Sequence, residues 1–267
     1  MKKLLSLVAG LVMGSALYAL PVLNPAGPAL LTDGVFMCDQ NDCWGIKFGY
    51  RGDFVFDKHM KSAFGGHHKD FSLYANEGVL TLNLWDRLDI YGFVGAANMS
   101  EDDLRYITGA ESDEFIFHYN TRTIAGVGIK AVLWETCWGS YGTTYVGIDG
   151  QYEWLASSPV SRVTRNGDSE GSGDFKREYR EGQVSLAIGH RICNLIPYVA
   201  AKWSNGRAPL NGTSVTVDGI GFDDISATRH WGYAVGLSLV DAGRMSVTAE
   251  ARFIDETAFT ISGDIRF

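Results

Sequence analysis

The chain predicts an all-β fold, a transmembrane antiparallel up-and-down β-barrel of about ten strands. Two observations carry that reading: apolar residues alternate with small or charged ones in segments of about ten residues, and the connections between segments alternate long and short. The last third shows the pattern best. Trp231, Tyr233, Val235, Leu237 and Leu239 share one face and His230, Gly232, Ala234, Gly236 and Ser238 the other. Met245, Val247, Ala249, Ala251 and Phe253 alternate with Arg244, Ser246, Thr248, Glu250 and Arg252, and Phe259, Ile261, Gly263, Ile265 and Phe267 with Thr260, Ser262, Asp264 and Arg266. Successive side chains of a strand point to opposite faces, so each segment has one apolar face. Strands of roughly 9–11 residues, apolar outward and polar inward, are what a bilayer-spanning barrel needs.

The amino terminus reads as a secretory leader: Lys2 and Lys3, an apolar run over residues 4–17, then small residues up to Ala19. The expected organisation is a signal peptide over 1–19 and a single barrel domain over 20–267. No apolar run reaches the roughly 18 residues of a spanning helix. Without the leader, 21 basic face 31 acidic residues, a net charge of −10, which argues against nucleic acid as a partner. A composition of 46% hydrophobic and 20% charged residues suits strands with one greasy and one wet face.

Residues 20–40, rich in Pro and Gly and without period, read as a periplasmic lead-in. In the first strand Trp44, Ile46, Phe48, Tyr50, Phe54 and Phe56 face lipid, with Lys47, Arg51 and Asp53 opposite. Charge is intolerable on the lipid face near the midplane, so the lumen is expected to be wet. Further strands are expected over 70–85, 88–97, 115–134, 140–155, 175–190 and 196–204, followed by the three above. The connections 57–69, 98–114, 156–174 and 205–229 are long, and the acidic one, 98–114, reads as a solvated loop. Long connections are expected outside the cell and short turns in the periplasm, with an even strand count. The turn at Asp255 and Glu256 is short where a long one is expected. A short strand over 214–217 would raise the count to twelve if it belonged to a hairpin.

LTLNLWDRLDIYGFVGA (80–96), GVGIKAVLWETCW (126–138), IPYVAAKWS (196–204) and SVTAEARFIDETAFTISGDIRF (246–267) resemble the major outer membrane porin of chlamydiae, as do ALPVLNPAGPALLTDG (19–34) and GYRGDFVFD (49–57). Members of that family are typically longer, with larger surface loops and more cysteines. The resemblance implies a bacterial outer-membrane porin for passive diffusion of small hydrophilic solutes, a homo-oligomer such as a trimer, and a role in a disulfide-linked envelope. A terminal Phe on an alternating last strand also resembles the signal read by the barrel assembly machinery, which makes Phe267 the candidate assembly residue.

If the apolar sets face lipid, the lumen receives Lys47, Arg51, Asp53, Asp89, Lys130, Asp149, Glu153, Lys202, Glu250, Arg252, Asp264 and Arg266. Charges facing each other across a wet constriction screen solutes by charge, and six of each sign predict weak selectivity. Ten strands leave little room, so the same side chains could instead fill the lumen of a structural or adhesive barrel. Cys38, Cys43, Cys137 and Cys193 all fall on the periplasmic side of this topology. Export brings them into an oxidising compartment. Three intramolecular pairings are open to them; Cys38 with Cys43 is favoured as a local pair, leaving Cys137 and Cys193 to bond partner chains or each other, and unpaired turn thiols are the alternative.

No metal or other cofactor is expected, since there is one close Cys pair and no second. Gly126, Gly128 and Ala131 fit a dinucleotide pattern but lie within a strand. His59, His67 and His68 read as loop histidines, and the sequon at Asn211 as incidental. No enzyme is expected; a barrel hydrolase is the weaker alternative and would need an Asp orienting a His base, for which Asp223, Asp224 and His230 are the candidates near the outer rim.

Overall fold

A computed structural model describes residues 21–33, 43–62, 67–106, 112–171, 175–211, 216–217, 220–221, 224–241 and 243–267. Their backbone forms a closed antiparallel wall. Its ten strands are β1 (Trp44–Lys58), β2 (His67–Leu84), β3 (Leu88–Tyr106), β4 (Arg122–Cys137), β5 (Thr143–Arg165), β6 (Lys176–Arg191), β7 (Leu195–Ala208), β8 (Trp231–Asp241), β9 (Met245–Phe253) and β10 (Glu256–Arg266). Each pairs with its chain neighbours, and β10 closes on β1 from Lys47↔Arg266 to Lys58↔Glu256. At that seam the Phe267 amide bonds the Ile46 carbonyl at 2.9 Å and the Phe267 ring meets Phe48 edge-on at 5.0 Å. Thr216–Val217 pairs only with Ile220–Gly221, outside the wall, so the count is ten and not twelve.

The period-two pattern becomes a lipid belt. Val127, Ile129, Ile148, Leu186, Ile188, Val199, Val235 and Leu237 point outward and are exposed. Aromatic rings flank them on both sides. Trp44, Trp85, Trp134, Trp138 and Tyr141 lie at the end of the short turns, and Tyr50, Trp154, Trp231 and Tyr233 toward the end of the long connections. Such girdles mark the two interfaces of an apolar band about 25 Å tall.

Three expectations are corrected. Residues 98–106 and 112–114 of the acidic stretch are strand and not solvated loop: β3 runs on to Tyr106 and pairs with Ser112–Tyr119, which also pairs with β5, and 107–111 lie outside the described residues. The strand expected over 115–134 is therefore two, broken at Asn120 and Thr121, because the first part takes the place of β4 between β3 and β5 once the wall rises past the lipid belt. The connection 156–174 is largely strand as well, with β5 reaching Arg165, a tight turn at Asn166 and Gly167, and Asp168–Gly171 returning. Met60–Ser62 and Ile225–Ala227 extend the wall in the same way beside β7. The result is a collar at the loop end.

The lead-in is corrected too. Residues 21–31 run inside the barrel, with a four-residue helix, α1 (Gly27–Leu30), near the turn end. Val22, Ala26, Leu30 and Leu31 are fully buried against the wall. Pro25 lies so close to β5 that a Cβ on Gly147 would come within 2.6 Å of its carbonyl oxygen.

Placing a charge on the lipid face tests the orientation. Leu186→Arg is expected to destabilise the barrel in lipid vesicles by about 2–4 kcal/mol, read as a lower urea midpoint, whereas Ser185→Ala, on the inner face of the same strand, should cost under about 1 kcal/mol.

Candidate functional site: the filled lumen

The inner face of the wall is built in three layers. Nearest the turn end, wall side chains hold residues 21–31. Glu250 on β9 accepts the Val22 amide at 2.9 Å and the Leu23 amide at 2.8 Å, and also the Tyr198 hydroxyl at 2.7 Å. Leu23 adopts φ +53°, a left-handed conformation costing on the order of 1–2 kcal/mol. Carbonyls of the segment accept from the wall: Gly27 from Lys47 Nζ and Pro28 from Asn83 Nδ2, both at 3.0 Å, Leu31 from Arg266, and Pro21 from Gln151. Asn24 caps the turn before α1 by accepting the Ala26 amide at 2.9 Å.

The middle layer is ionic. Lys47 pairs with Asp89 at 3.0 Å, Lys130 with Asp149 at 3.7 Å, and Arg51 with Glu77, its guanidinium lying 4.1 Å from the Phe93 ring centre. Arg252 reaches Asp53 at 2.8 Å and Glu256 at 2.6 Å. Lys202 reaches Asp255 at 2.9 Å and Glu256 at 2.6 Å, and Lys58 joins Glu256 to Glu181. Between this layer and α1 lies a cavity of about 60 Å³ beside Lys47, Arg51, Asp89, Lys130 and Asp264, room for a few waters.

The third layer, inside the collar, is an apolar core of Phe71, Leu73, Met99, Phe115, Phe117, Phe175, Tyr179 and their neighbours. The expectation of a wet lumen fails here, because these strands rise beyond the lipid and their inward positions turn apolar. One charged group is threaded through it: Arg177 pairs with Glu101 at 2.9 Å, and Tyr119 donates to Glu101 at 2.9 Å while accepting from Arg177 at 3.0 Å. Burial pushes the Tyr119 hydroxyl well above its ordinary pKa, so it remains a donor.

Of the twelve lumen candidates, eleven are buried on the inner face and Asp264 is half-buried there. Sequence reasoning missed Lys58, Glu77, Glu101, Arg177, Glu181, Asp255 and Glu256, all buried inside. Glu77, Arg177 and Glu181 were findable, since they extend the faces of Thr81 and Asn83 on β2 and of Ser185 on β6. Lys58 was hidden by a bulge between Val55 and Asp57, which reverses the parity of β1. The short turn expected at Asp255 and Glu256 bends at Ile254 and Asp255, and both carboxylates fold inward onto Lys202.

The remaining candidates are scattered. Cys43, Cys137 and Cys193 are exposed at the turn end and unpaired in this structure; Cys38 lies outside the described residues, and so does the pairing favoured for it. His230 Nδ1 bonds the Ser204 carbonyl at 2.9 Å and Asp224 accepts the Leu210 amide at 2.7 Å, so neither is bonded to the other; Asp223 lies outside the described residues. Gly126 to Ala131 sit within β4. His59 bonds Arg229, and His67 begins β2 rather than lying in a loop.

The sequence matches the family described as Chlamydia major outer membrane protein over residues 1–64, 59–115 and 210–267. The chain belongs to that family. A curated relative, the major outer membrane porin of serovar E from Chlamydia trachomatis, is 25% identical over 393 aligned residues covering all of both chains. Among solved structures, an outer membrane channel from Pseudomonas putida F1 aligns over 86% of this chain and all of its own (12% identity, TM-score 0.39), and the outer membrane protease OmpT from Escherichia coli over 84% and 92% (11%, 0.39). At such scores the superpositions add nothing, and the fold rests on the closed ring itself. As a member of this family with a closed lipid-belted ring, the chain is a multi-pass protein of the outer membrane.

The ionic layer has a testable energetic consequence. Arg252→Met leaves Asp53 and Glu256 buried beside a neutral side chain and is expected to cost about 3–5 kcal/mol, read as a lower urea midpoint for loss of the heat-modifiable gel band.

Proposed function

We propose that this protein is a porin for small hydrophilic solutes, seen here with its lumen closed. The observation that carries the reading is the charge of the inner wall, where eight basic and ten acidic side chains are buried among the described residues. Stability alone is a poor reason to keep them. Replacing buried ion pairs by well-packed apolar residues is often neutral or stabilising. Charges lining a passage, by contrast, replace part of the hydration that an ion sheds on entry. The relatives named porin support the same reading. The acidic surplus among the inner charges replaces the expected balance and favours cations modestly.

What closes the passage at the turn end is a removable segment, not the wall. Gly147→Leu puts bulk where Pro25 sits. In planar bilayers the mature wild-type chain is expected to open rarely, and Gly147→Leu often, with ohmic steps and reversal potentials favouring cations. Inserted, heat-modifiable barrels of both proteins that never conduct would sink the porin reading.

The apolar core of the collar favours a second reading, a structural barrel that is filled for good. Phe71, Phe115, Phe117 and Phe175 pack there as in a soluble domain, and the silent outcome would select it. Either barrel fits a disulfide-linked envelope, because Cys137 and Cys193 stand exposed at the oxidising turn end. Non-reducing gels of envelopes should show high-mass species that collapse in a Cys137→Ser, Cys193→Ser double variant.

A further inference from the structure

We propose that the turn-end half of the lumen is a binding site for short peptides, occupied in this state by the chain's own residues 21–31. The proposal rests on the porin reading, since it names a solute class that the open pore would favour.

The wall meets the segment as a peptide, group by group. One carboxylate, Glu250, takes two successive amides; Lys47, Asn83, Arg266 and Gln151 each donate to a different carbonyl. Main-chain groups are common to every peptide, so these contacts recognise the class. Apolar sockets add a pattern: Val22 packs on Ala187, Ala200 and Ala234, while Ala26, Leu30 and Leu31 pack on Val132, Tyr145, Ile196 and Val240.

Withdrawal of the segment takes one partner from each of those wall groups, although Lys47 and Asn83 keep Asp89 and Arg266 keeps Asp86. Glu250 would keep the Tyr198 hydroxyl and the Arg252 guanidinium at 3.9 Å but lose both amides, and losing two donors from a buried carboxylate is costly. Another peptide restores them. The segment enters with its amino end deepest, its Pro21 carbonyl on Gln151, and the next inward position of β5 toward the loop end is Glu153. The Glu153 carboxylate is buried and makes no hydrogen bond or ion pair among the described residues. A peptide reaching one residue past the position of Pro21 with a free amino terminus brings its ammonium to the level of that carboxylate.

The tether gives the chain's own segment a local concentration of the order of millimolar, so a competitor must meet a released site. A protease site inserted between Asp33 and Gly34 lets the full chain fold first and frees the segment afterwards. A fluorescent peptide of residues 20–33 is then added to the cut barrel in detergent and its anisotropy followed. The expected result is saturable binding, reversed by unlabelled peptide, weakened about tenfold or more by Glu250→Gln, and absent for a peptide carrying Val22→Asp and Leu30→Asp. Acetylating the peptide's amino terminus should weaken binding in the parent barrel and make no difference in Glu153→Gln. Persistent co-elution of the cut segment with the barrel is the same site still filled and supports the proposal. Loss of the segment on gel filtration with no binding of labelled peptide, or equal binding of the two peptides, overturns it. Bilayer recording of the same cut barrel separates the two readings. Open steps that peptide leaves untouched keep the porin and reject the site, whereas a silent barrel that binds peptide keeps the site and rejects the porin.

Discussion

Everything in this protein follows from one requirement: in hydrocarbon no backbone amide or carbonyl can go unpaired. An open sheet has two edges that fail it, so β10 must return to β1. Closure then dictates the rest. A ring of antiparallel strands has an inside and an outside, each strand supplies both by turns, and the outside must be apolar over the height of the bilayer. Polar side chains are left only the interior, where ten strands give them too little room to remain hydrated. They pair with each other instead, which is why Lys58, Lys202 and Arg252 converge on the single carboxylate of Glu256.

The wall was legible because its signal is local. Alternation along β8, β9 and β10 is visible in any window of ten residues, and lipid punishes each departure from it. The collar was not, for the same reason. Past the lipid interface the outer face no longer has to be apolar, so the alternation that marks the wall is lost, although Met99 and the Glu101 carboxylate still point in. Composition there resembles a loop although the pairing is that of a strand. A bulge has a similar effect at smaller scale, since one extra residue in β1 reverses the parity by which Lys58 would have been found.

The lumen segment was illegible on different grounds. Residues 21–31 have no period because they belong to no ladder, and their partners lie as far as 235 positions away in the chain. Rich in Pro and Gly, these residues read as a periplasmic lead-in. In the folded chain Asn24, Pro25 and Pro28 shape a compact turn and short helix that fit the bore, and the groups that hold them are the charges assigned to the lumen on parity alone. Lys47, Glu250 and Arg266 lie buried on the inner face, and main-chain groups of residues 22, 23, 27 and 31 are among their partners.

The seam has a consequence for how the protein comes into being. Its ladder joins Lys47 to Arg266, so the first strand must wait, edge open, until the last residues of the chain have been delivered. Contacts of such sequence separation form late and make folding slow. Four of the groups that grip residues 21–31, on β1, β2, β9 and β10, flank this same join. A segment near the amino end of the chain thus lies across its last-formed contact, like a key in a ring that has just been shut.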